Sequence, residues 1–254
     1  KKHAFKFATM LMLTALLAPG ITLAQAELVP EKEPEEKKKK DGWGFLLTPG
    51  TNVSLSDNRS VIGQPDGLTM TVGVTLAAGA ELRHGSHEFR NLLSINELFS
   101  HTPVLEEFVK SSDIFKFESV YLYHLLEWVG PFAKLNIDST LLEGFDARPE
   151  PVTWAISYLD GSTENRSGLH LRMTDGFAPL TLKETVGAFM KPLKDEKHNL
   201  EIRLGFGGMH VFADEQLALK DDGATPEIEV TELKGFSQGG GVLEVNLWGK
   251  LYGG

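Results

Sequence analysis

The sequence predicts an all-β protein: an antiparallel up-and-down transmembrane β-barrel of about ten strands, or twelve if the chain continues past Gly254. Three observations carry this. Apolar and polar residues alternate with period two along several stretches, as in strands with one apolar face. The connectors between those stretches alternate between long and short. Past the first 26 residues no run approaches the ~18 continuous apolar residues of a spanning helix.

The 254 residues are 41% apolar and 24% charged, which permits a core and argues against global disorder. Net charge is −10. Without Lys1, Lys2 and Lys6 the balance is 22 basic to 35 acidic residues, or −13, where a general nucleic-acid binder needs a basic footprint. The absence of cysteine excludes a disulfide scaffold, a thiolate zinc site, a thiol nucleophile and a lipidated N-terminal cysteine.

Residues 1–26 read as a secretory signal peptide. They hold a basic start, an apolar stretch from Phe7 to Ala18, a break at Pro19-Gly20 and an Ala24-Gln25-Ala26 cleavage site. The stretch is short of the ~20 residues of a membrane anchor. Residues 27–42 hold two prolines, an acidic block and Lys37 to Lys40, the composition of a disordered charged leader. The barrel then occupies 43–254.

The opening segment 43–56 contains Pro49-Gly50 and alternates weakly. Between 68 and 82 every even position is apolar, including Val72, Val74 and Leu76. Segment 88–99 is the least clean, with Asn91 and Glu97 on its better face. Segment 113–126 sets Phe115, Phe117, Tyr121 and Tyr123 against Lys116, Glu118 and His124. In 131–142, Leu135, Ile137 and Leu141 oppose Lys134, Asn136 and Asp138. In 178–190, Leu180, Leu182 and Val186 oppose Thr181, Lys183 and Thr185, and Glu184 interrupts the apolar face. Segment 198–213 sets Ile202, Leu204 and Phe206 against Glu201 and Arg203, and 241–252 sets Leu243, Val245 and Leu247 against Glu244 and Lys250.

In water such a sheet packs one face on a core. In a bilayer it closes, with apolar residues outside and polar ones inside, because lipid cannot satisfy an open edge. The connectors 57–67, 100–112, 143–168 and 213–227 read as long, and 83–87, 127–130, 191–197 and 234–240 as short. Outer-membrane barrels have this asymmetry between outer loops and periplasmic turns. In the longest connector, Thr153 to Leu159 and Leu169 to Thr174 read as a hairpin across Asp160-Gly161 and Gly168. About nine wall strands result. Bacterial barrels have even counts, so the expectation is a fragment lacking at least one strand, or a miscount in 43–56.

Several stretches resemble an uncharacterised, domain-of-unknown-function family of Gram-negative outer-membrane barrel proteins. They are His87-Glu88-Phe89-Arg90-Asn91, Tyr121-Leu122-Tyr123-His124 leading to Val129-Gly130-Pro131-Phe132, and Phe177-Ala178-Pro179-Leu180-Thr181-Leu182 with Gly187. The resemblance implies a surface barrel without an assigned activity, and further strands past residue 254.

The expected lumen carries both signs: Lys116, Lys134, Lys183, Arg203 and Lys250 against Glu118, Asp138, Glu201 and Glu244. Desolvated charges need partners, so these read as a salt-bridged interior or as the lining of a narrow polar conduit. His84, His87, His101, His170, His198 and His210 read as exposed turn residues, and no spacing among them makes a metal site. Ser86 beside His84 and His87 lacks an acid tied to it by motif. Asp160 to Asn165 lacks the full EF-hand pattern. Trp43, Trp128 and Tyr123 suit an interfacial aromatic belt at the periplasmic strand ends.

The leading expectation is a non-enzymatic, porin-like or structural outer-membrane protein without cofactor or metal. Its partners are outer-membrane lipid and lipopolysaccharide, with a small polar solute as a candidate passenger and no nucleic acid. The alternatives are a soluble periplasmic β-barrel binding an apolar ligand, and an outer-membrane lipid-modifying enzyme.

Overall fold

A computed structural model describes residues 41–249 except Gln64 and residues 195–197. The signal peptide, nearly all of the leader, Lys250 and residues 251–254 lie outside the described residues. Within them the chain is all-β. Its strands are β1 (Gly42–Asn58), β2 (Gly67–His84), β3 (His87–Thr102), β4 (Leu105–Tyr123), β5 (Val129–Ser139), β6 (Gly144–Ser157), β7 (Thr163–Thr174), β8 (Leu180–Lys194), β9 (His198–Phe212), β10 (Leu217–Leu219), β11 (Ile228–Glu232) and β12 (Phe236–Gly249).

Eight strands make one antiparallel sheet in the order β1-β2-β3-β4-β5-β8-β9-β12. Among the described residues this sheet is not closed: β1 and β12 are its edges. The main sheet therefore has eight strands where the sequence suggested nine or ten. The miscounted strand is β11, whose Ile228 and Val230 alternate like a wall strand but belong to a second sheet, β10-β11-β6-β7. That sheet is built from the two longest connectors, and its β11–β6 pair is parallel.

The expected hairpin in 143–168 is present and longer than anticipated. It turns at Asp160-Gly161, where Gly161 adopts a φ of 87° and Asp160 accepts the Ser162 amide at 2.8 Å. Gly168 lies inside β7 rather than in the turn. Residues 100–112 are not a long loop. They continue the β3–β4 ribbon past a bulge at Ser111 to the connection Pro103-Val104.

The weak segment 43–56 is a strand nonetheless, paired along its whole length with β2, Pro49 standing opposite Leu76. In β3, Glu97 on the apolar face is tolerated near the connector-rich end. It lies opposite Asp113, which takes Lys110 at 2.6 Å and the Leu141 and Leu142 amides at 2.6 and 3.0 Å.

Two small cores hold the chain. Trp154, Ile156, Leu171, Leu217, Ile228 and Val230 fill the second sheet, and the Trp154 indole donates to Asp146 at 2.7 Å. Val120, Leu122, Phe132 and Phe189 cluster on the polar face of the main sheet. On that face Gly187 stands opposite Gly205. A Cβ on Gly187 would collide with the Leu204 carbonyl oxygen, and one on Gly205 with the Val186 carbonyl oxygen. The bare pair lets β8 and β9 bend inward without crowding.

Trp154→Ala should destabilise the second sheet by about 3–5 kcal/mol and leave the main sheet folded, as limited proteolysis confined to 140–179 and 213–235 would report. Gly187→Ala should cost about 1–3 kcal/mol through overpacking, seen as a lowered urea midpoint.

Candidate functional site

Register places the expected lumen residues on one face. Glu244 lies opposite Arg203, Lys134 opposite Val120 and Thr185, and Asp138 opposite Lys116. Five of the nine join one ion network. Lys134 bridges Glu118 at 3.1 Å and Glu244 at 2.9 Å. Arg203 reaches Glu244 at 3.2 Å and donates from Nε to Glu201 at 2.6 Å. Lys183 and Asp138 form a separate pair at 3.0 Å. Lys116 is exposed and takes no part in the network among the described residues. Lys250 lies outside them.

The network also holds residues that the sequence did not single out. Arg90 contacts Glu88 at 3.1 Å and Glu201 at 3.6 Å. Lys191 lies 3.7 Å from Glu88 and 3.4 Å from Glu201. Arg83 contacts Glu81 at 2.7 Å and Glu88 at 3.0 Å, and His124 reaches Glu88 at 2.9 Å. Lys191 points inward by the alternation that also turns Lys183 and Phe189 inward, and a bulge at Lys191–Pro192 then sets two residues of β8 against one of β9 and re-aims Leu193. Five carboxylates thus meet five Lys or Arg side chains.

These contacts require the sheet to curl toward its polar face. Strands β3 and β9 are four steps apart, which is ~19 Å across a flat sheet at ~4.8 Å per strand. Arg90 and Glu201 nonetheless approach to 3.6 Å. Glu201 is 1% exposed. Arg203 lies 5.8 Å from the Phe132 ring centroid and Lys191 5.5 Å from that of Phe189. The ion cluster therefore rests on the small apolar core and fills the trough at the end carrying the β2–β3 and β4–β5 turns.

Toward the other end the trough opens into a cavity of about 490 Å³, lined by Lys134, Asn136, Lys183, Thr185, Gln238 and Glu244 over Gly207 and Gly240. No group of three or more His, Asp or Glu among the described residues is arranged to hold a metal ion. His87 is bonded to the Tyr121 hydroxyl at 2.6 Å, so the Ser86 and His87 pairing weighed from sequence does not assemble. In the second sheet, hydrogen bonds from Arg166 and Tyr158 hold the Glu164 carboxyl down to about 2.

Searches with family models, curated proteins and solved structures found no match to this chain.

Glu201→Ala should destabilise the main sheet by up to about 3–5 kcal/mol, because Arg203 and Lys191 lose a buried partner and keep only Glu244 and Glu88, read from urea unfolding. Lys183→Ala, which removes an exposed pair, should cost at most about 1 kcal/mol. The Glu164 contacts should persist as pH falls through the ordinary carboxylate range and break only near pH 2, because a depressed native pKa delays protonation. A side-chain NMR titration of Glu164 would give that midpoint.

Proposed function

We propose that the main sheet is the wall of an outer-membrane β-barrel with a structural surface role, its interior filled at the short-turn end by the ion network. The supporting observation is an apolar face that nothing covers. Val74, Leu204 and Val245 are 53%, 65% and 59% exposed, while the charged face is turned inward. In water this arrangement is inverted. In lipid it is the expected one.

Aromatic residues bound that face at both ends. Trp43, Phe45, Phe89, Tyr121 and Trp128 lie toward the short turns, and Phe99, Phe177 and Phe212 toward the long connectors. From Phe89 to Phe99 along β3 is ten residues, or ~34 Å at ~3.4 Å each. A tilt of about 40° reduces this to ~26 Å, close to the ~25 Å apolar band of such barrels. No helix among the described residues is long and apolar enough to cross a membrane. That has no bearing on strands.

Lipid requires both edges to be paired. Eight alternating strands leave β1 and β12 antiparallel to each other, the orientation a closing ladder needs. The second sheet, made from the connectors at the opposite end from the short turns, is then a surface-exposed cap. The ion network disfavours an apolar ligand inside the trough. The polar cavity above it favours, as a second reading, a passage for a small polar solute.

The full chain refolded with phospholipid should float with vesicles, resist carbonate extraction and migrate differently on gels with and without heating. Recovery in the aqueous fraction would refute the reading. Leu204→Lys should cost about 2–4 kcal/mol of stability in the bilayer. Planar-bilayer recordings should show no steady conductance for the wild type, whereas stable open channels would favour the solute-passage reading.

A further inference from the structure

The structure assigns a serine-hydrolase constellation to the outer face of the main sheet: Ser237, His210 and Glu184, poised to hydrolyse the ester-linked acyl chains of membrane lipids. The three residues come from adjacent strands β12, β9 and β8. Ser237 is opposite His210 in register, and Glu184 is opposite Gly208, two positions from His210. All three share the apolar face. His210 Nδ1 lies 2.8 Å from Ser237 Oγ, and His210 Nε2 lies 3.0 Å from Glu184 Oε1.

The tautomer follows from the partners. An ionised carboxylate only accepts hydrogen bonds, so the ring proton belongs on Nε2, where it is donated to Glu184. Nδ1 is then the acceptor, and the Ser237 hydroxyl must donate to it. This is the chain of roles in a nucleophile–base–acid triad, with the two ring nitrogens exchanged. Space is reserved for it. A Cβ on Gly208 would strike Glu184 Oε1 and come within 3.4 Å of His210 Nε2. Beside the serine on the same face, Gly239 and Gly241 leave the surface bare, and Gly241 has nothing within 4 Å of where a Cβ would lie. That hollow runs toward exposed Phe206 and Leu243, an apolar track for an acyl chain.

The substrate class rests on the membrane reading above. Phe212, close by in β9 on the same face, is exposed and lies at the level of the aromatic belt. Such belts lie at the headgroup boundary, which is where lipid ester bonds sit. In the first step Ser237 Oγ attacks the ester carbonyl carbon and its proton passes to His210 Nδ1. The ester C–O bond breaks and the leaving alkoxide takes that proton. Water then attacks the acyl-serine, giving its proton to His210. The carboxylic acid leaves as Ser237 is reprotonated. The balance is ester plus water to acid plus alcohol. Glu184 is a positioning residue: it holds the ring and stabilises the imidazolium.

The test uses the full chain refolded in vesicles of phosphatidylethanolamine, with and without lipopolysaccharide, and an alkyl fluorophosphonate as the covalent probe. The wild type should be phosphonylated at Ser237, located by mass spectrometry, and should release fatty acid. The vesicle composition that yields acid identifies the donor lipid. Ser237→Ala should abolish both readouts, and Ser86→Ala should change neither. His210→Ala should lower acid release at least about 100-fold. Glu184→Gln should lower kcat with KM retained and move the acid limb of the pH profile, which a merely structural carboxylate would not do. Circular dichroism confirms that each variant is folded. A wild-type protein that floats with vesicles but shows neither labelling nor acid release overturns the assignment. Labelling of Ser237 and cleavage of a soluble ester by a protein that does not float would uphold the triad and reject the membrane.

Discussion

Burial of Glu201 is the constraint on which the main sheet depends. A carboxylate removed from water must be met by cations, and its partners come from β3, β8 and β9. No flat sheet brings those strands to one point. Curvature and charge neutralisation are therefore the same event: flattening the sheet would separate Arg90 from Glu201. The glycine pair at 187 and 205 permits the bend, Lys191 supplies a cation at its centre, and the Phe132 and Phe189 rings form its floor. Conformational freedom, register and electrostatics converge on one turn-proximal segment of the trough.

The two faces of the sheet have opposite requirements. The inner face satisfies five carboxylates internally and leaves only a modest polar hollow above them. The outer face is apolar for most of its height, and its charged exceptions collect near the long connectors. Asp113 there is tied to Lys110 and to the Leu141 and Leu142 amides, with Glu97 buried opposite it. Glu184, His210 and Ser237 are tied to one another. The first group resembles a clasp that holds the 140–142 segment against β4. The second touches no connector and faces open space, which is why chemistry rather than architecture explains it.

Much of the main sheet was legible from the sequence. Period-two alternation assigned the correct face to Lys134, Arg203, Glu201 and Glu244, because register in an antiparallel ladder keeps opposite residues on one side. Partners were not legible. Arg90 meets Glu201 only through curvature, and no local pattern reports how far a sheet bends. Glu88 and Arg90 escaped notice because Asn91 and Glu97 blurred the alternation of β3. Lys191 escaped because 191–197 reads as a turn, whereas β8 runs on to Lys194. The strand count failed at 228–232, where five residues alternate identically whether they belong to a wall or a cap. His210 was read as a turn residue, although it lies within β9. Its company became visible only when three strands were placed side by side.

The parallel pairing of β11 with β6 has a kinetic consequence. Trp154 and Ile228 are partners across 74 positions of chain, and the intervening segment includes all of β8 and β9. The β6–β7 hairpin can form early from local contacts, but its hydrophobic side stays uncovered until β11 arrives. Closing so long a loop is slow compared with forming a hairpin. Completion of this upper layer is therefore a late event in assembly, timed by the strands threaded between its halves, and an exposed Trp154 would mark chains that have not yet finished.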